Sequence, residues 1–200
     1  MNGVNEYSFP PAEVRRLKQR EWILTYVPEY SVGAELGVFR GHFSKIIARK
    51  VLPRKLYLVD MWTLQGSHYG DYGDYTNYGK LPTSVALEET IKRTLQYQDQ
   101  TEIVIVESKC EDFLYNLEEQ LDFVYLDTYH TFNETLSQLS SISKKLKPDG
   151  LILGDDWWPD RDSPHHGVFL AIHAFIKANP FEIVACGPYG QYCLRRVVTS

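Results

Sequence analysis

Three aspartates and one histidine carry the sharpest chemical signal in the chain. Asp127 closes the apolar run LDFVYLD (121–127), and the pair Asp155-Asp156 follows LILG (151–154). If the two runs are neighbouring parallel strands, they lie about 4.8 Å apart and their terminal carboxylates converge. Three acids so placed repel one another unless protons or a cation intervene. An all-oxygen donor set suits a hard ion (Mg²⁺, Mn²⁺ or Ca²⁺) better than zinc. The simpler alternative is that one aspartate caps a helix and another faces water. His130 follows Asp127 by three residues and precedes a helix expected from Thr131. A helix N-terminus disfavours imidazolium, so the ring should stay neutral and able to take a proton; a capping or surface role is the alternative. His165 and His166, in DSPHHG, and Trp157-Trp158 either reach the same mouth or simply pack.

These residues need elements to hold them, and the chain supplies an alternation. SVGAELG (31–37), KLYLVD (55–60), TEIVIVES (101–108), LDFVYLD and LILG are apolar strand patterns. GHFSKIIARKVL (41–52), TSVALEETIKRTLQY (83–97), CEDFLYNL (110–117), TFNETLSQLSSISKKLKPDG (131–150) and GVFLAIHAFIKAN (167–179) are helical ones. In the second helix Leu87, Ile91 and Leu95 recur every four residues; in the fourth, T-x-x-E forms a capping box and Phe132, Leu136, Leu139 and Leu146 a stripe. Apolar strands alternating with helices signal an α/β fold, a parallel sheet covered on both faces. FEIVACG and YCLRRVV flank a Gly/Pro turn and close the chain as a hairpin, adding antiparallel character at one edge.

Open sheets of this kind bind ligands outside the carboxyl ends of their strands. There stand Glu35 with Gly37, then Asp60, Glu107 with Ser108, Asp127, and Asp155 with Asp156. One acid at a strand end is commonly a helix cap; five such positions on one rim suit a cationic ligand or a metal. The turn ELGVFRGHFS permits a tight bend at Gly37 and close backbone approach near Gly41, and Asp60 ends the next strand, where a carboxylate would hold ribose hydroxyls. The pair points to a nucleoside, although the full G-x-G-x-x-G spacing is lacking.

The 200 residues suit one domain, with residues 1–30 as an N-terminal helical extension from Pro10-Pro11 to Val27. A net charge of −5 argues against nucleic-acid partners, and Arg15, Arg16, Lys18 and Arg20 read as a solvated helix face or helix end. No run approaches the apolar length of a membrane span and no signal pattern opens the chain, so a cytoplasmic protein is expected. Cys110, Cys186 and Cys193 form no CxxC and read as reduced thiols, with a Cys186–Cys193 bridge across the hairpin as the alternative. Residues 61–82 contain GSHYGDYGDYTNYGK (66–80), with Tyr69, Tyr72, Tyr75 and Tyr78 spaced by three. Leaving from the rim after Asp60, this segment is expected to be a lid loop; a subunit contact in a homo-oligomer, or disorder, are the alternatives.

AELGVFRGHFS, YLVDMW, DFVYLDTYHTF, LKPDGLILGDDW and HGVFLAIHAF together resemble class I S-adenosylmethionine (SAM)-dependent methyltransferases. The similar branch holds macrolide-sugar O-methyltransferases and proteins described as cephalosporin hydroxylases. The resemblance runs from about Val32 to the end. It implies a Rossmann-like seven-stranded sheet whose last hairpin places one antiparallel strand. It implies a SAM site at Glu35, Gly37, Gly41, Phe43, Ser44, Asp60, Met61, Ser108 and Asp127, with Glu35 and Gly37 beside the methionine part, Asp60 at the ribose and Ser108 near the adenine. It further implies Mg²⁺ at Asp127, Asp155 and Asp156, and His130 as base. Val38, Phe39 and Arg40 depart from the small residues common in that turn.

Metal-assisted methylation of a small-molecule hydroxyl, on a sugar, diol or catechol, is thus the expected activity, with catalysis at His130 and Asp127. Its rivals are metal-free methylation, a nucleotide-dependent oxidoreductase, and a silent cofactor-binding module.

Overall fold

Five strands rich in β-branched and aliphatic residues assemble in parallel: β1 (Val32–Leu36), β2 (Lys55–Asp60), β5 (Glu102–Glu107), β6 (Leu121–Leu126) and β7 (Leu146–Gly154). The hairpin β8 (Phe181–Cys186) and β9 (Tyr192–Arg196) joins through β9, which runs antiparallel to both β7 and β8. The seven-stranded order is β5-β2-β1-β6-β7-β9-β8, a Rossmann-like sheet with one reversed strand, as expected. The computed structural model describes residues 11–63, 75–76, 81–187 and 189–197. Helices cover both faces. α4 (Cys110–Asn116), α5 (Phe132–Ser143) and α6 (His166–Ala178) bury Phe113, Leu139, Ile172 and Phe175 against one face. α2 (His42–Val51), α3 (Thr83–Thr94) and a 3-10 turn at Glu21–Tyr26, which continues α1 (Pro11–Arg20), cover the other, where Ile23, Phe43, Ile47 and Ala86 are buried. No helix among the described residues is long and apolar enough to cross a membrane.

Two helices differ from their sequence patterns for identifiable reasons. On α3 (Thr83–Thr94) most of the expected stripe is not the buried face: Leu87 packs partly against the core, but Ile91 and Leu95, just past the helix end, are exposed, whereas Thr83, Ala86, Thr90 and Thr94 are buried. The hydroxyls of Thr90 and Thr94 donate to the carbonyls of Ala86 and Thr90, each at 2.9 Å, so the threonines enter the interior with their polar groups satisfied. The small face is needed because Gly41, at φ 69°, lies so close that a Cβ there would come within 2.8 Å of the Thr90 backbone. α5 stops at Ser143, although the pattern reached Gly150. Leu146 already pairs with Leu121, and the register shift between Leu121 and Phe123 accommodates the segment around Pro148, which could not have continued the helix. Thr131 does cap α5, accepting from the Glu134 N–H at 3.4 Å. All three cysteines are free thiols, so the hairpin carries no bridge.

The start of α2 makes the fold acid-sensitive. His42 is half-buried, and burial, then the charges of Arg93 and Arg40, pull its pKa down to about 4. Unfolded histidine titrates near 6.5 (roughly). Between those values the unfolded chain binds more protons, so stability must fall as pH drops through that window and level off below it. Thermal melting from pH 7 to pH 4 should show this loss, and His42→Gln should make the decline shallower. An unchanged slope in the variant would remove His42 as its source.

Candidate functional site

The β1–α2 turn is built by side chains rather than by glycines alone. Phe39 takes φ 58°, in the left-handed region, and three bonds hold it there. Its N–H donates to Asp60 Oδ2 at 2.8 Å, and its carbonyl accepts from Trp62 Nε1 at 2.8 Å and Thr90 Oγ1 at 3.2 Å. Arg40, buried, grips Glu89 of α3 with two nitrogens, and Arg93 reaches the same carboxylate at 2.8 Å. This explains how VFR replaces the small residues expected there. Gly37 is the irreplaceable member. It has φ 87°, and a Cβ would lie 1.9 Å from the carbonyl oxygen of Asp127, so the β1 and β6 ends meet backbone to backbone.

Beside that junction opens a cavity of about 440 Å³, within the range of pockets for small molecules and cofactors. Gly37, Asp60, Met61 and Asp127, four of the nine residues expected at a SAM site, line it. Asp60 also accepts from the N–H groups of Met61 at 2.6 Å and Trp62 at 3.4 Å, which fixes its carboxylate at the cavity edge. The remaining members of the expected SAM set lie elsewhere. Glu35 is buried and accepts a hydrogen bond from Ser44 Oγ; burial pushes its carboxyl well above the usual range, against that bond. Phe43 stacks on Tyr125 in the core, with centroids 4.4 Å apart. Gly41 serves the α2–α3 contact. Ser108 lines a separate pocket at the β5 edge with Glu107 and Asp112. Residues that the sequence reading missed complete the wall: Phe39, Lys109, Cys110 and Glu111 at the start of α4, Thr128 and Tyr129 after β6, and Glu134 of α5. The usable signal was position, since most of them directly follow a strand end.

Asp127 has a second set of neighbours. Oxygens of Asp127, Asp155 and Asp156 all lie within 4.8 Å of one another, and a second set of three, His130, Asp156 and His165, meets the same limit. The convergence expected from adjacent strand ends is therefore present, because β6 and β7 pair in register up to Leu126 and Gly154. His130 Nε2 lies 2.7 Å from Asp156 Oδ2, and the His130 and His165 rings meet edge to face at 4.3 Å. Asp156 sits at φ 64°, a strained value for a non-glycine residue and a common mark of functional positions.

The charge of the cluster is balanced from an unexpected quarter. Arg20, read from sequence as part of a solvated face, is 5% exposed. Its Nη1 lies 3.3 Å from Asp127 Oδ2, and its Nη2 pairs with Asp155 Oδ2. Arg16 adds contacts of 3.3 Å to Asp155 and 3.7 Å to Asp156. Gln191 donates to Asp155 Oδ1 at 2.8 Å. Burial and the charge of Asp155 push Asp127 up to about 7, against Arg20. Burial would raise Asp156, yet His130 holds it below the ordinary carboxylate range. The helix N-terminus was expected to keep His130 neutral. Burial, the largest single influence, works in the same direction, but Asp156 together with Asp127 and Asp155 raises the imidazole pKa on balance. Trp157 packs against Phe169 and His173 rather than facing the cluster alone, and His166 stacks on Phe169.

Three carboxylates are the right donors for a hard divalent ion, but the guanidinium of Arg20 already engages two of them. An ion would have to share those oxygens with a cation at hydrogen-bonding range, so the residues as arranged do not fit one.

A seven-stranded sheet of this order, with its cavity at the carboxyl ends beside a glycine turn and a strand-end acid, is a Rossmann-like architecture with its ligand site at the usual rim. A family model described as a methyltransferase domain matches residues 34–157, more than half of the chain, and the chain belongs to that family. No curated protein matches the sequence. Among solved structures it is similar to the O-methyltransferase TomG of Streptomyces achromogenes, involved in tomaymycin synthesis and solved with SAM (15% identity over 96% of this chain and 82% of that one, TM-score 0.57). It is also similar to the methyltransferase PaMTH1 of Podospora anserina, bound to SAH (S-adenosylhomocysteine; 13% identity, 96% and 90%, TM-score 0.59). A third is the N-methyltransferase NodS of Bradyrhizobium japonicum (14% identity, 94% and 98%, TM-score 0.57). At these identities the likeness is one of fold.

Proposed function

We propose that this methyltransferase moves a methyl group from SAM to a hydroxyl of a small molecule, with the cofactor in the 440 Å³ cavity and the acceptor at the acid cluster. The observation that carries this reading is the shared wall: Asp127 lines the cavity and also belongs to the pocket formed with His130, Asp155 and Asp156. SAM-bound and SAH-bound neighbours of the same fold support the cofactor. Gly37, by letting the Asp127 backbone come close, brings the β1 and β6 ends together at the cavity wall, and Asp60 is placed to accept from ribose hydroxyls.

SAM supplies a methyl group already activated on a sulfonium, so the protein has to align the acceptor and remove its proton. A hydroxyl, unlike a neutral amine, needs a base. His130 has one nitrogen, Nε2, against Asp156 at 2.7 Å, which leaves Nδ1 to take the proton while Asp156 orients the ring and stabilises its charged form. Asp127 borders both ligands and fixes their relative position. The polarity of the cluster suits a hydroxyl of a sugar, a vicinal diol or a catechol, and its pocket of about 10 Å³ would admit only that reacting group. Metal-assisted transfer, with Mg²⁺, Mn²⁺ or Ca²⁺ at Asp127, Asp155 and Asp156, is the second reading; the 4.8 Å convergence of their oxygens favours it, but it requires Arg20 to leave Asp127 and Asp155.

Label transfer from methyl-labelled SAM to a panel of sugars, diols and catechols tests the proposal, with O-methyl products expected. Failure with every acceptor despite tight SAH binding would favour a silent binding module, and preference for NADH over SAH an oxidoreductase. Asp60→Asn should weaken SAH binding by about 10–100-fold, the value of charge-assisted hydrogen bonds to a ribose. Unchanged calorimetric affinity would remove Asp60 from the site.

A further inference from the structure

Helix α1 lies outside the segment matched by the family model, yet it delivers the most buried cation of the acid cluster. Arg20 bridges the ends of β6 and β7, touching Asp127 with one terminal nitrogen and Asp155 with the other. Its side chain is 6% exposed and that of Asp155 is fully buried, so the two charges compensate each other away from water, with Asp127 and the more exposed Arg16 as further partners. A guanidinium offers a planar fork to two carboxylates, and here the two belong to different strands.

We propose that Arg20 is the resident cation of this site. It stands in for a divalent ion, so that docking of α1 and binding of a metal at Asp127, Asp155 and Asp156 exclude each other, and methyl transfer with α1 docked needs no metal. Arg20 is then a positioning residue: it holds the two strand ends together and keeps Asp127 where cavity and acceptor pocket meet. Arg16, at 3.3 Å from Asp155 and 3.7 Å from Asp156, reinforces the same docking. The inference rests on reading the cluster as the acceptor end of the methyl-transfer site.

Titration of the full chain with Mn²⁺ alone, followed by electron paramagnetic resonance, tests it without SAM or acceptor. The wild type should take up no stoichiometric Mn²⁺. Arg20→Met should bind one ion at least about tenfold more tightly, and Asp155→Asn on that background should abolish the gain. Arg20→Lys, which keeps the charge, should behave like wild type. Wild-type Mn²⁺ binding that Asp155→Asn removes would overturn the proposal, as would a folded Arg20→Met chain that binds none. If Arg20→Met does not fold, the wild type still decides: turnover retained in EDTA supports the proposal, and turnover lost in EDTA and restored by Mg²⁺ overturns it. Because Mn²⁺ binding is read in the absence of SAM, failure of the methyl-transfer reading would show separately, as absent SAH binding.

Discussion

Replacing His130 with alanine is expected to lower kcat by about 10²–10⁴-fold, the usual worth of a positioned general base, with SAH affinity unchanged. The separation follows from the geometry. His130 belongs to the acid-cluster pocket and not to the 440 Å³ cavity, so its loss leaves the walls of that cavity intact. Its partner gives a graded control. Asp156 lies 2.7 Å from Nε2 and is the strongest influence raising the imidazole pKa. A base must be neutral to act, so activity should rise with pH through that raised value. Asp156→Asn should move the rising limb to lower pH while reducing its height, because the ring loses both its charge partner and its orientation. A His130→Ala enzyme with wild-type kcat would leave proton removal to another group and end the assignment.

Gly37→Ala is the second large effect, and it is one of backbone rather than charge. A methyl at this position would sit 1.9 Å from the Asp127 carbonyl oxygen, on a residue held at φ 87°. Neither strand end can yield, because the Gly37 N–H donates to Val59 and the Asp127 N–H to Leu36, both at 2.9 Å. Left-handed strain costs about 1–3 kcal/mol before the overlap is counted, which for a chain of this size lowers Tm by about 3–10 °C. The displaced Asp127 should also cost SAH affinity and about 10²-fold in turnover. Gly41→Ala separates the two consequences. Its Cβ would press on Thr90 of α3, away from the cavity, so Tm should fall while SAH binding persists.

The strand ends were legible in the sequence because parallel strands buried on both faces write themselves as apolar runs, and the acids follow where those runs stop. Asp60, Asp127, Asp155 and Asp156 could be placed on one rim from that rule alone. Which way a side chain leaves such a strand was not legible. All five residues of β1 are buried, so no alternation reveals that Glu35 points at Ser44 in α2 rather than into the cavity. The face of α3 was misread for a related reason: its leucine and isoleucine spacing outranks threonines, until Gly41 demands a small surface beneath it. Arg20 was beyond local reading altogether. It sits in a charged run indistinguishable from a solvated face, and its partners lie more than a hundred residues away in the chain. The tyrosine segment 66–80, expected to be a lid, lies outside the described residues apart from Tyr75–Thr76, whose backbone forms β3 and pairs antiparallel with β4 (Leu81–Pro82).

The central claim is that SAM binds between the ends of β1, β2 and β6. Calorimetric titration of SAH into the wild type, Asp60→Asn and Gly37→Ala tests it most directly. One site in the wild type, weakened by the first substitution and lost with the second, is the predicted result. No heat of binding in the folded wild type, or equal affinity in all three, would contradict it.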